Sequence, residues 1–158
     1  MALVRILVDG YSLLHHWREL APGQPRYSAA ARDELTHRLT LYQDAIDTPI
    51  TIFFDGAAPK RSKIKDASDS GVGVEVLFSQ AGQTADQIIE RAAHRFARFG
   101  EVLAVTDDHA ERETVISLGG LACSCDNFIR DVENALADLA EEIKNHNRRE
   151  RHRFRTSR

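Results

Sequence analysis

The chain has 158 residues, 42% of them hydrophobic and 28% charged, with a net charge of −3, a balance that suits one globular domain with a single three-layer core. No run of about 18 apolar residues is present to cross a membrane. The opening Met1–Val8 meets Asp9 and Gly10 at once, without the basic front or cleavage site of a signal peptide, so a cytoplasmic protein is expected.

Five short apolar, β-rich runs follow one another along the chain: Leu3–Val8, Ile50–Phe54, Val72–Phe78, Val102–Val105 and Leu121–Ser124. Between them lie stripes of helical period. Leu35, Leu39, Tyr42 and Ile46 form one, and Ile88, Ile89, Ala92, Ala93 and Phe96 a second. Phe128, Val132, Leu136, Leu139 and Ile143 form a third. Strands alternating with helices predict an α/β fold, a mostly parallel sheet of about five strands covered on both faces. The domain is expected over residues 1–143. From Lys144 to Arg158 seven basic residues stand against the single acid Glu150, a net +6 that leaves −9 for the body. This segment is expected as a flexible basic tail, and an acidic body with a basic end suits a protein that handles cations and polyanions.

Ligands of open parallel sheets bind beyond the carboxyl ends of the strands. Three of the five runs lead directly into aspartate there: Asp9 after the first, Asp55 after the second, Asp107 and Asp108 after the fourth. The third leads through Ser79–Gln83 to Thr84-Ala85-Asp86-Gln87, where Thr84 and Gln87 have the spacing of a capping box. That places Asp86 in the first turn of a helix, with Glu90 one turn later on the same face. Any one strand-end aspartate is an ordinary helix N-cap; their joint occurrence is the informative feature. Carboxylates gathered on one edge repel one another unless cations share the site. Oxygen donors of this kind suit Mg²⁺ or Mn²⁺, which can activate water against a phosphodiester. Glu111 is expected either as part of that cluster or as part of a local cap begun by Asp108.

The ordered set Ile6-Leu7-Val8-Asp9-Gly10-Tyr11, Phe54-Asp55, Gln83-Thr84-Ala85-Asp86 and Val105-Thr106-Asp107-Asp108 with Glu111 resembles the YacP-like branch of NYN-domain proteins, within the PIN-like nuclease superfamily. The resemblance runs from about Leu3 to Val132. It implies a single PIN-like α/β domain with the first strand central, and a divalent-metal endoribonuclease. Asp9, Asp86 and Asp108 match its metal ligands; Asp107 stands where relatives carry Ser, leaving open which of the pair reaches the metal. Asp107, Asp55 and Glu90 are further candidates for ligands or water-orienting groups. Ser12 replaces the Asn usual after Asp-Gly-Tyr, offering a shorter hydroxyl in its place.

The implied partner is RNA, free or held on the ribosome, and RNA over DNA rests on the resemblance alone. Lys60, Arg61, Lys63 and Lys65, with Arg91 and Arg95, are the expected phosphate contacts. Tyr11 and Trp17 are expected to pack in the core or at its rim more than to stack on bases. A non-catalytic RNA-binding module keeping the fold is the rival reading. A P-loop is absent, Val76 stands where a dinucleotide loop needs its third glycine, and there is no nucleophile elbow. Cys123 and Cys125 are expected as packing residues, and the seven histidines show no ligand spacing.

Overall fold

The computed structural model of the protein describes residues 3–56, 73–80 and 82–156, apart from the side chains of Ala85, Asp86 and Thr156. Five strands form one sheet: β1 (Leu3–Asp9), β2 (Ile50–Phe54), β3 (Glu75–Phe78), β4 (Glu101–Val105) and β5 (Leu121–Cys123). Their order is β3-β2-β1-β4-β5, every pairing is parallel, and β1 is central as the resemblance implied. The described helices are α1 (Gly10–His16), α2 (Ala29–Ile46), α3 (Ala85–Ala97), α4 (His109–Ser117) and α5 (Cys125–Thr156).

Alternation along the strands builds two apolar layers, because successive side chains leave a strand on opposite faces. Ile6, Val8, Ile50, Ile52 and Phe54 join Leu13, Leu14, Leu35, Leu39, Phe128 and Val132 from α1, α2 and α5. Leu7, Phe53, Val102 and Ala104 join Ile89, Ala93 and Val115 from α3 and α4 on the other side. These are the three expected layers. Trp17 is 2% exposed and its Nε1–H donates to Glu133 Oε1 at 3.2 Å, while Tyr11 packs edge-on against Phe54. Both serve packing.

Two expected strands are shorter in the structure. β3 begins at Glu75, after Gly73 in a left-handed conformation (φ +93°), and Val72 lies outside the described residues. β5 stops at Cys123 because Ser124 turns to cap the next helix, its Oγ accepting the Asn127 N–H at 3.2 Å. The segment read as a tail is a correction of another kind: α5 runs unbroken for 32 residues to Thr156. The stretch has no Gly or Pro and is rich in Arg, Glu, Ala and Leu, which lose little freedom in a helix. At 1.5 Å per residue the helix is about 48 Å long, and its last turns are exposed. Among the described residues no helix is long and apolar enough to cross a membrane.

The strand order fixes where a cleft must open. After β1 the chain enters α1, packed on one face of the sheet; after β4 it enters α4, packed on the other. Adjacent strands whose connections leave to opposite faces part at their carboxyl ends, and open α/β sheets bind ligands at that switch point. Asp9 and the pair Asp107–Asp108 end the two strands that flank it.

Candidate active site: carboxyl groups between β1 and β4

Asp9 closes β1 and caps α1, its Oδ1 accepting the Ser12 N–H at 3.3 Å. Burial pushes its carboxyl above the ordinary value of 3.8; the bonds from the Ser12 backbone and side chain act against this, and the charge of Asp108 acts with it. Ser12 therefore does hold this carboxyl, despite being shorter than the usual Asn.

Glu111 is the third member, and the reason lies in the cap of α4. Asp108 is the N-cap, its Oδ1 accepting the Ala110 and Glu111 N–H groups at 2.9 and 3.2 Å. In a reciprocal capping box the residue at Glu111's position would turn back to the Asp108 N–H. Here that N–H donates to Thr106 Oγ1 at 3.1 Å instead. The Glu111 side chain, 3% exposed, is left to hydrogen-bond the Asp9 carboxyl. The two carboxyls therefore sit side by side, with the charge of Asp108 beside them. Both expected roles of Glu111 thus divide: its backbone belongs to the cap and its side chain to the cluster.

Asp107 points elsewhere. Its Oδ1 accepts the Cys125 N–H at 3.1 Å and its Oδ2 lies 3.0 Å from His16 Nε2. Geometry therefore sets Asp108, not Asp107, with Asp9. Asp55 is exposed at the end of β2 and accepts a 2.8 Å bond from the Ser79 hydroxyl, which in turn accepts the Gly56 N–H at 2.8 Å. It is tied to the β3 side of the sheet. Asp86 lies in the first turn of α3 behind the expected capping box: the Gln87 N–H donates to Thr84 Oγ1 and the Thr84 N–H to Gln87 Oε1, both at 3.2 Å. The Asp86 side chain lies outside the description, and Glu90 is exposed one turn on.

Among the cations, Lys60, Arg61, Lys63 and Lys65 lie outside the described residues. Arg91 and Arg95 on α3 line a groove of about 430 Å³ with Arg5, Gln80, Gln83 and Phe96. The Arg5 guanidinium stacks 4.3 Å from the Phe96 ring centre, so the groove has a cationic wall at the β3 side of the sheet.

Asp9 and Glu111 place desolvated carboxyls side by side with the charge of Asp108 near them, an oxygen-only set, although among the described residues only His16, Asp107 and Cys125 bring three ligand atoms within 4.8 Å of one another. A hard divalent cation relieves the repulsion such a set carries, so these residues fit Mg²⁺ or Mn²⁺. Sequence reading missed His16 and Cys125, which meet Asp107 in a separate cluster. His16 has no partner of ligand spacing on its own helix, and a cysteine that opens a helix looks like packing.

The chain is similar to known proteins over most of its length. A curated relative, the uncharacterized protein YacP of Bacillus subtilis (strain 168), is 28% identical over 129 residues, spanning 81% of this chain and 74% of that protein. The crystal structure of Rae1 (YacP) from Bacillus subtilis superposes with a TM-score of 0.71 at 24% identity, covering 91% of this chain and 80% of that one. Its W164L mutant gives 0.74, covering 90% and 82%. These likenesses establish the shared fold. The family model of the YacP-like NYN domain matches residues 6–157, and the chain belongs to that family.

Proposed function

We propose that the protein is a divalent-metal-dependent endoribonuclease working at the β1/β4 switch point. The observation that carries this reading is the buried Asp9 carboxyl, hydrogen-bonded to Glu111 with the charge of Asp108 beside it. Membership of the YacP-like NYN family, within the PIN-like nucleases, supports nuclease chemistry of this kind. Asp9, Asp86 and Asp108 are the proposed ligands of Mg²⁺ or Mn²⁺, and Glu111 joins them. A bound ion would supply a Lewis acid and a water of lowered pKa for in-line attack on a phosphodiester.

The chain's own groups do the rest. Ser12 holds Asp9 through its N–H and side chain, so the carboxylate is oriented before substrate arrives. Asp107, Asp55 and Glu90 are secondary candidates for orienting the attacking water. RNA phosphates are held along the Arg5, Arg91 and Arg95 groove, contacts that position a strand and carry no sequence information.

The test is incubation of purified protein with an RNA containing single-stranded and structured regions, in Mg²⁺, Mn²⁺ or EDTA, beside Asp9→Asn and Asp86→Asn. Metal-dependent cutting lost in both variants is expected. RNA binding without cutting under every metal would replace this reading with a non-catalytic RNA-binding module.

A further inference from the structure

We propose that His16, Asp107 and Cys125 form a second cation site beside the carboxyl cluster, one selective for a zinc-class transition-metal ion. Their ligand atoms lie within 4.8 Å of one another, with His16 Nε2 and Asp107 Oδ2 at 3.0 Å. The donors are one imidazole nitrogen, one carboxylate oxygen and one sulfur, a set that suits Zn²⁺ or Co²⁺ and not Mg²⁺. Bonds of 2.0–2.3 Å in a tetrahedron put ligand atoms about 3.3–3.8 Å apart. Side-chain adjustments of about 1 Å would close the present triangle on an ion.

Two further contacts show the donors already aimed. His16 Nδ1 lies 2.9 Å from the Ser12 carbonyl oxygen. A carbonyl can only accept, so Nδ1 donates to it, and Nε2 is the nitrogen turned toward Asp107. Metal-ligating histidines are held in this way, through the opposite nitrogen. A lone pair 3.0 Å from a carboxylate oxygen is repulsive unless a proton or a metal ion lies between them. Asp107 Oδ1, meanwhile, is held by the Cys125 N–H at 3.1 Å, which leaves Oδ2 to face the imidazole.

Burial and the neighbouring Asp107 push the Cys125 thiol well above its ordinary value, so without metal it keeps its proton and donates it to Asp107. A borderline-soft ion displaces that proton on binding. The thiol is fully buried, whereas the His16 and Asp107 side chains are 33% and 34% exposed. The ion therefore has an entry path and a fourth position open to water or substrate. Its three ligands would tie the end of α1, the β4–α4 turn and the start of α5 together, one residue from Asp108.

Cobalt is the probe. Full-length protein is stripped with chelator and titrated with Co²⁺ in excess Mg²⁺, which fills the carboxyl cluster. The expected result is one Co²⁺ per chain with a sulfur-to-cobalt absorption band, displaced by one equivalent of Zn²⁺. Asp9→Asn and Cys123→Ser should keep the band, Cys125→Ser should lose it, and His16→Gln should weaken binding more than about tenfold. Should Cys125→Ser fail to fold, the part-exposed His16→Gln decides the matter. A parent protein without the band, a band that follows Cys123, or one that survives His16→Gln at full affinity would overturn the site. None of these outcomes depends on RNA cleavage, so the nuclease reading stands or falls separately.

Discussion

Gly10 follows Asp9, and its importance is steric. A Cβ placed there would lie 2.4, 2.6 and 2.9 Å from Cε1, Cδ1 and Cζ of Phe54, where carbon atoms in contact need about 3.5–4.0 Å. Relief requires a shift of about 1 Å or more. Phe54 is 1% exposed and held between Tyr11, at 5.1 Å between ring centres, and Phe78, at 5.5 Å, so the ring has nowhere to retreat. Overpacking of this kind costs about 3 kcal/mol at the upper end of its usual range. Alanine's better helix propensity returns up to about 1 kcal/mol. Gly10→Ala should therefore lose about 2 kcal/mol, or roughly 4–8 °C in Tm for a chain of this size.

The strain also falls on the start of α1, where Asp9 is anchored, and a misplacement of about 1 Å costs on the order of a hundredfold in rate. Thermal melts in EDTA read the first effect. RNA cleavage in Mn²⁺, well below both melting points, reads the second. Phe54→Leu removes part of the clashing ring, so the double variant should recover at least about 1 kcal/mol relative to additivity. A Gly10→Ala protein that melts within about 1 °C of the parent, or a strictly additive cycle, would refute the close approach.

Three further outcomes follow from named groups. Burial raises the Asp9 carboxyl above 3.8, so the folded state holds its proton more tightly than the unfolded state; stability then falls as pH rises through that value. Asn keeps the cap without the charge, so metal-free Asp9→Asn should melt higher than the parent at pH 7, with the difference vanishing below about pH 3.8 in paired melts across pH. Thr84→Ala breaks the capping box of α3 and should lower stability by about 1 kcal/mol, read as a drop in the urea midpoint, while also loosening Asp86. Burial holds the Cys123 thiol at about 11 against an ordinary 9.0; alkylation of native protein at pH 8 should run about a hundredfold slower at Cys123 than in urea, as its thiolate fraction dictates.

Much of this arrangement was legible along the chain because it depends on local rules. Short apolar, β-rich runs located the five strands and stripes of helical period located α2, α3 and α5, and Thr84 with Gln87 announced the start of α3. Asp9 and Asp108 read correctly both as N-caps and as strand-end carboxylates, since one side chain does both. The parts left open or missed depend on tertiary meetings. Glu111 joins Asp9 only because Thr106 satisfies the Asp108 N–H and α4 starts against the end of β1. His16 meets Asp107 only because α1 ends beside the β4–α4 turn. The helical course of Lys144–Thr156 was masked by its charge, which pointed to a solvated tail although its residues are good helix formers.

The central claim is that a divalent ion is held by the carboxyls joining β1 to α4. The most direct measurement is a Mn²⁺ titration followed through the spin-resonance signal of the free ion, on the parent, Asp9→Asn, Glu111→Gln and Asp55→Asn. The account predicts that the parent and Asp55→Asn deplete free Mn²⁺ alike, while Asp9→Asn and Glu111→Gln bind at least about tenfold more weakly. Parent-like affinity in both Asp9→Asn and Glu111→Gln would contradict it.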